Sequence, residues 1–413
     1  MENIPVEVVG NILHWLDTAS DTVVASATCR KWREAWCNHL HSLIFSLHEW
    51  PIYDELSRRK LEIIITRTLF QTNGLRGLSL IMEGIGEFFA APVIAWLMYT
   101  RGSLCQLNYS VKTAPNVNVL EMCGREKLEV LSLGHQAITS VEPSHRKFLS
   151  LRILTLDCVG ISALDLSLLL GACPKIEFLS LTSLDIFMVD PQATMELSSK
   201  SLRDLYVEEL TLEKVVVEAE NLESLHLKNC TLEDFELACK GNLRVLEIDD
   251  VGIIHLNIGE SAENLKSVDV SNFTITWSKF LRMISKSTRL KKLRLWGVAL
   301  DDDNNDEVFK LEQIASCFPR LCQLSQSIRL KKSFVQSQPR LAPGARVDGH
   351  SRLVLGLGGR GVLEKCLRLK KAIHGIVSET KTHEECQTLA IFTSFIVRLM
   401  RKYVHVEVQF EYE

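Results

Sequence analysis

The run Leu353-Val354-Leu355-Gly356-Leu357-Gly358-Gly359-Arg360-Gly361 has the spacing Gly-x-Gly-x-x-Gly behind an apolar tripeptide, and Glu379 follows the last glycine by eighteen residues. In a dinucleotide site such glycines let the backbone approach a pyrophosphate, and the acid bonds a ribose hydroxyl. That chemistry needs a parallel βαβ series around it. Here the preceding stretch, Ser337 to Arg346, is rich in Pro, Gly and Arg, so the run reads as a connector. The acidic run Asp301-Asp302-Asp303-Asn304-Asn305-Asp306-Glu307 has oxygens for a hard cation but lacks the spacing and the glycine of a calcium loop, and reads as a solvated turn. Among the histidines, His14 lies near an apolar helical face, and His226 and His255 fall in separate segments. None pairs at metal-ligand spacing. No Ser-His-Asp or Cys-His set can be nominated, so no catalytic residue, metal or cofactor is expected.

The twelve cysteines are scattered without a Cys-x-x-Cys, and Met1-Glu2-Asn3-Ile4-Pro5 has neither the basic start nor the apolar stretch of a secretory signal. Free thiols in a reducing compartment, cytoplasm or nucleus, are expected. Cys158, Cys173, Cys230 and Cys317 stand beside strand starts or ends, where a small buried thiol suits a tight corner. Lys plus Arg number 47 against 51 Asp plus Glu, a net charge of -4, which disfavours a general polyanion binder. Phe88 to Met98 is the longest apolar stretch and contains Pro92. It falls well short of the roughly 20 residues that span a membrane and predicts a buried helix.

The elements behind these side chains announce themselves by period. Blocks of the form Leu-x-x-Leu-x-Leu, with conservative swaps, begin at Leu75, Leu104, Leu128, Leu151, Ile176, Leu202, Leu222, Leu243, Leu265 and Leu290. A recurrence of about 20–29 residues is that of a leucine-rich solenoid, each unit supplying one strand that cannot bury its apolar face alone. Alternation along a strand turns Leu225 and Leu227 inward and Ser224, His226 and Lys228 outward. A second set of alternations, at Leu212–Val217, Leu232–Leu237 and Ile253–Ile258, predicts strand rather than helix on the far side of the shortest units. From Thr276 to Lys286, Trp277, Phe280, Leu281 and Ile284 recur at helical spacing. The pattern breaks between Lys331 and Gly361. Beyond it, Glu384 to Lys402 reads as a helix and Tyr403 to Tyr412 as a strand, together a C-terminal cap.

The first forty residues follow a different period. Val8, Val9, Ile12, Leu13 and Leu16 mark one helical face, Pro5 stands at the first turn where a missing N–H costs nothing, and Asp21 is expected to cap the next helix. So short a segment holds little core of its own and needs a partner, or the repeats, to cover it. On the residues alone, a plain helical cap on an interaction scaffold stays open.

The series Ile4-Pro5-x-Glu7, Ile12-Leu13-x-x-Leu16, Asp21, Ala25-x-x-Thr28-Cys29-Arg30-x-Trp32-Arg33 resembles an F-box, and with the repeats behind it the chain is similar to plant-type F-box/leucine-rich-repeat proteins. The resemblance implies an α/β chain: a three-helix F-box over residues 1–45, a helical linker and cap over 46–74, and a leucine-rich-repeat solenoid, a curved parallel sheet, over 75–325. Where the family would carry a further leucine-rich unit, the residues themselves read as an irregular or disordered segment over 326–362, followed by the helix/strand cap over 363–413. The resemblance implies the substrate receptor of a Skp–cullin–F-box ubiquitin ligase. Ile4, Pro5, Val8, Ile12, Leu13, Leu16, Val24, Cys29 and Trp32 match adaptor-facing or supporting positions, and the partners would be a Skp-type adaptor and, through it, cullin and RING protein. Such a receptor is not an enzyme, and Cys29 fits as small apolar packing rather than as a nucleophile. Outward positions of the repeats, Glu223, His226, Arg244, Glu247, Lys266 and Asp269, are the expected target-binding residues. Their mixed signs suit a protein target and not nucleic acid.

Overall fold

Each of the ten leucine blocks becomes one strand, and each strand starts two residues after the block's first leucine. That first residue packs inward from the preceding turn: Leu75, Leu104, Leu128, Leu151, Ile176, Leu202, Leu222, Leu243, Leu265 and Leu290 are all buried. The computed structural model describes residues 4–16, 19–46, 56–141, 148–186, 194–238, 242–273, 277–296, 317–328 and 407–412. The Gly-rich run, the Asp301–Glu307 run and the helix expected over 384–402 lie outside the described residues. The chain forms two units, one reaching Leu222 and including Asp234–Ala238, the other holding Glu223–Glu233 and the residues from Cys239 onward.

The first unit opens on helices α1 (Val6–His14), α2 (Ala19–Ser26) and α3 (Arg30–His39), followed by β1 (Ser42–Ser46), α4 (Arg58–Leu69) and β2 (Gly77–Ile81). Short β3 (Phe88–Phe89) leads into α5 (Ala90–Thr100), the buried helix expected from the apolar run; Trp96 is fully buried and its indole N–H donates to Thr66 Oγ1 of α4 at 2.8 Å. Then come β4 (Gln106–Ser110), β5 (Thr113–Ala114), α6 (Val119–Met122), β6 (Val130–Gly134), β7 (Ala137–Ile138), β8 (Ile153–Asp157), β9 (Gly160–Ile161), α7 (Ala163–Gly171), β10 (Phe178–Thr182), β11 (Asp185–Ile186), β12 (Thr194–Ser198), β13 (Asp204–Glu208) and β14 (Thr211–Glu218). The long strands pair in parallel in the order β1-β2-β4-β6-β8-β10-β13. Short strands make a second layer, β11-β9-β7, and β12 pairs β14 in parallel. At α7 the Ser162 side chain accepts the Asp165 N–H, which satisfies one donor that the first turn leaves open.

The second unit holds β15 (Ser224–Lys228), all of β17 and all that follows, while β16 (Thr231–Ala238) is shared between the units. β17 (Val245–Asn257) is long because the main alternation and the secondary one at Ile253 run together in one strand. β18 (Ser267–Phe273), α8 (Trp277–Ile284), β19 (Lys292–Trp296), β20 (Gln323–Ile328) and β21 (Glu407–Tyr412) complete it, and the sheet runs β15-β17-β18-β19-β20-β21, parallel throughout. The helix expected over 276–286 is α8, with Phe280 and Ile284 buried. Among the described residues no helix is long and apolar enough to cross a membrane.

Two backbone ladders fix the rungs. At the strand starts, the N–H groups of residues 105 and 106 both donate to the Arg76 carbonyl. Those of 152 and 153 donate to Glu129, and those of 266 and 267 to Arg244, at 2.7–3.1 Å. Just after their strands His135, Cys158, Ser183, Glu209 and Asn229, and inside β17 and β18 Asp250 and Asn272, all take the left-handed conformation, with φ between 47° and 54°. The cost of that conformation in non-glycine residues is offset where the N–H bonds a carbonyl of the neighbouring strand: His135 to Asp157, Cys158 to Thr182, Ser183 to Glu208 and Asn229 to Asp249.

Four expectations need correcting. Asp21 lies inside the first turn of α2, which starts at Ala19, so it faces the positive helix end as a charge and is not the N-cap. Sheet pairing begins at β1, a strand inside the span expected to close the F-box. β20 continues to Ile328, into the stretch expected to be irregular. Of the cysteines expected to be buried, Cys173 and Cys230 are, Cys317 is half-buried, and Cys158 is exposed because the left-handed turn carries it out of the core.

One glycine is set by helix packing. A Cβ on Gly10 of α1 would stand 2.6 Å from His39 Cβ and 2.7 Å from the His39 carbonyl oxygen. Gly→Ala within a helix ordinarily gains about 0.5–1 kcal/mol. Here the obstacle is α3 backbone, which cannot swing aside, and overpacking costs about 1–3 kcal/mol. Gly10→Ala is therefore expected to lower the urea midpoint of the helical domain. A raised midpoint would contradict this packing.

Candidate functional site

On α1 one face is spent on the domain's own core: Val9, Gly10 and Leu13 are buried. The other face is not covered. Val8, Ile12 and Trp15 follow each other at i, i+4 and i+7, one stripe of a helix, and are exposed by 43%, 40% and 82%. Val23 and Val24 on α2 are 40% and 66% exposed. Five large apolar side chains open on two short helices are more than the scattered exposure of an ordinary surface, and they make this the candidate docking face. The Pro5 carbonyl accepts the N–H groups of Val8 and Val9 at 3.1 and 3.2 Å, which fixes where the stripe begins.

The nine residues expected at this surface divide. Val8, Ile12 and Val24 are on it, Pro5 is exposed beside α1, and Ile4, Leu16 and Trp32 are half-buried. Leu13 is fully buried and belongs to the core. Cys29 is exposed at the N-cap of α3, not packed as a small apolar residue. Trp15 and Val23 were not among the expected nine, although the spacing from Val8 through Ile12 to Trp15 carried the signal.

The second candidate surface is the outward face of the parallel strands. In the second unit His226, Glu247, Asp269 and Arg294 are register partners on successive strands, so four ionisable groups stand in a row. His226 Nδ1 lies 2.9 Å from Glu247 Oε2, and an Arg294 guanidinium N–H group lies 3.1 Å from Asp269 Oδ2. Burial pushes the Asp269 carboxyl above the usual carboxylate range, Arg294 opposes this, and Glu247 adds to it. Glu223, Arg244 and Lys266 come one residue before their strands and form a parallel row at the edge, with Arg244 2.9 Å from Glu223. Exposed pairs of this kind add little to stability, about 0–1 kcal/mol, so what the row offers is a pattern of charge to a partner. Arg294 extends the expected set of six.

The first unit's outward face has another chemistry. Its central row is Ser79, Asn108, Ser132, Thr155 and Ser180, neutral and small, and beside it Val130, Ile153 and Phe178 are register partners on β6, β8 and β10. None of the three is buried. This apolar row lay outside the units from which the target residues were read.

Residues 1–46 match the family model described as F-box-like, and residues 103–262 match the one described as FBD-associated F-box protein At5g56370, LRR repeats. The chain is 52% identical over 423 residues to F-box/LRR-repeat protein At1g67190 of Arabidopsis thaliana, with all of both chains covered.

Proposed function

The chain belongs to the F-box/LRR-repeat proteins, and from that footing we propose that it is the target-recognition subunit of a Skp–cullin–F-box ubiquitin ligase. The observation that carries the reading is the uncovered stripe Val8–Ile12–Trp15, apolar surface on a domain too small to leave it open without a partner. A Skp-type adaptor covers it and brings cullin and RING protein, while the outward strand faces hold the target protein. The work done is proximity: tethering raises the effective concentration of target lysines near the charged E2. The chain itself forms no bond to ubiquitin. A thioester-forming ligase needs an activated cysteine, and burial, which pushes the Cys123 and Cys173 thiols up to about 12, removes those two from that role but not the exposed Cys29, Cys158 and Cys322.

Affinity capture under proteasome inhibition tests the reading. Intact chain should hold adaptor, cullin and a set of further proteins, and a chain carrying Val8→Asp and Ile12→Asp should lose the first two and keep the rest. Glu247→Lys with Asp269→Lys should lose members of the retained set while adaptor binding is unchanged. Ligase subunits captured equally by both forms would refute the docking role of α1. A retained set unaffected by the charge reversals would move target binding to the first unit's face.

A further inference from the structure

We propose that the C-terminal ends of β6 and β8 carry a binding site for a divalent transition-metal ion of the zinc class, with His135, Asp157 and Cys158 as its ligands. One donor atom from each lies within 4.8 Å of the others. In a tetrahedral site with bonds of about 2.0–2.3 Å the donors stand about 3.3–3.8 Å apart, so small side-chain rotations close the set on an ion.

The backbone holds the three in place. Gly134 and Asp157 are neighbours across the sheet, which sets the next residues, His135 and Cys158, side by side. Both are left-handed, with φ of 52° and 51°, and both are pinned by ladder hydrogen bonds, His135 N–H to Asp157 O and Cys158 N–H to Thr182 O. Asp157 Oδ1 is 3.8 Å from the Cys158 sulfur.

A surrounding shell fits the same ion. A Glu83 oxygen lies 3.7 Å from His135 Nε2, an ion-pair separation rather than a hydrogen bond, and is itself tethered by the Ser110 hydroxyl at 3.0 Å. On the other side the Ser183 hydroxyl donates to Glu209 at 2.5 Å. Glu83, Asp157 and Glu209 thus gather negative charge here, and among the described residues no Lys or Arg pairs with any of them. Nitrogen, oxygen and sulfur donors together select zinc-like ions over calcium or magnesium, and the exposed Cys158 leaves a way in.

The test uses the untagged full chain, stripped of metal and titrated with Co2+. A thiolate-to-cobalt charge-transfer band and visible d–d bands should saturate at one equivalent and bleach when Zn2+ is added. Cys158→Ser should remove the charge-transfer band, and His135→Ala should weaken Co2+ binding about tenfold or more. Cys29→Ser and Cys322→Ser, which change other exposed thiols, should leave the spectrum intact. Circular dichroism of the metal-free variants checks their folding. Asp157→Asn keeps every thiol and must also weaken binding, which preserves the test should Cys158→Ser fail to fold. A folded wild-type chain without these bands in excess Co2+, or bands that survive in Cys158→Ser, would overturn the site.

Discussion

A chain carrying Val8→Asp and Ile12→Asp is expected to lose co-purification with a Skp-type adaptor while its repeats stay folded. Both side chains are about two-fifths exposed, so the change disturbs little of the domain's own core. In a complex they become buried, and each new carboxylate must then be desolvated without a partner, at a cost of several kcal/mol. Two such penalties exceed about 4 kcal/mol, a loss of roughly a thousandfold in affinity. Trp15→Ala, at the most exposed position of the stripe, should weaken binding without abolishing it. Leu13→Ala separates docking from folding. Leu13 is fully buried, so its loss should cost the helical domain about 2–5 kcal/mol in a melt. Adaptor affinity unchanged in the double variant would move the docking face off α1.

Phe273→Ala is expected to have the largest effect on stability. The ring ends β18, is 2% exposed, and meets Phe280 of α8 edge-on at 5.7 Å and 79°, so it joins the sheet to the only described helix beyond it. Truncation leaves a cavity lined by that ring and costs about 3–5 kcal/mol, a large part of the roughly 5–15 kcal/mol that holds a typical domain. Because each rung of a solenoid is covered by its neighbours, the loss should show as early protease cleavage around β18 and α8. Phe273→Leu, which refills part of the space, should cost less than half as much. Adaptor binding, which belongs to α1–α3, should survive in both. An unfolding midpoint equal to wild type would show that the ring is not part of the core.

The repeats were legible because burial imposes a period. Leu75, Leu104, Leu128 and the rest each precede a strand by two residues, as a unit with one inward face requires. β1 escaped because Leu40-His41-Ser42-Leu43-Ile44-Phe45 places Phe at the third leucine position directly behind α3, where it reads as the end of the helical domain. The alternation of residues 403–412 was legible, but its pairing with β20 was not, since nothing local to a strand names a partner about eighty residues away. On α1 the amphipathic period was plain, yet which apolar residues are spent on the core depends on how closely α3 approaches at Gly10. Leu13 and Trp15 are therefore distinguished only in the fold.

The His135–Asp157–Cys158 cluster shows the same limit in sharper form. Ligand motifs are read at spacings of a few residues, as on one turn or loop, and His135 and Cys158 are about one repeat apart. In a solenoid that distance is a single step between neighbouring strands, so residues one period apart are the ones that touch. The left-handed position in these rungs is no easier to read, because His, Cys, Ser, Glu, Asn and Asp all occupy it and only its place in the repeat is constant.

The measurement that bears most directly on the receptor reading is light scattering of the purified full chain mixed with a purified Skp-type adaptor. A one-to-one complex that withstands dilution to micromolar concentration is the expected result. A folded wild-type chain that elutes apart from the adaptor at every ratio would contradict it.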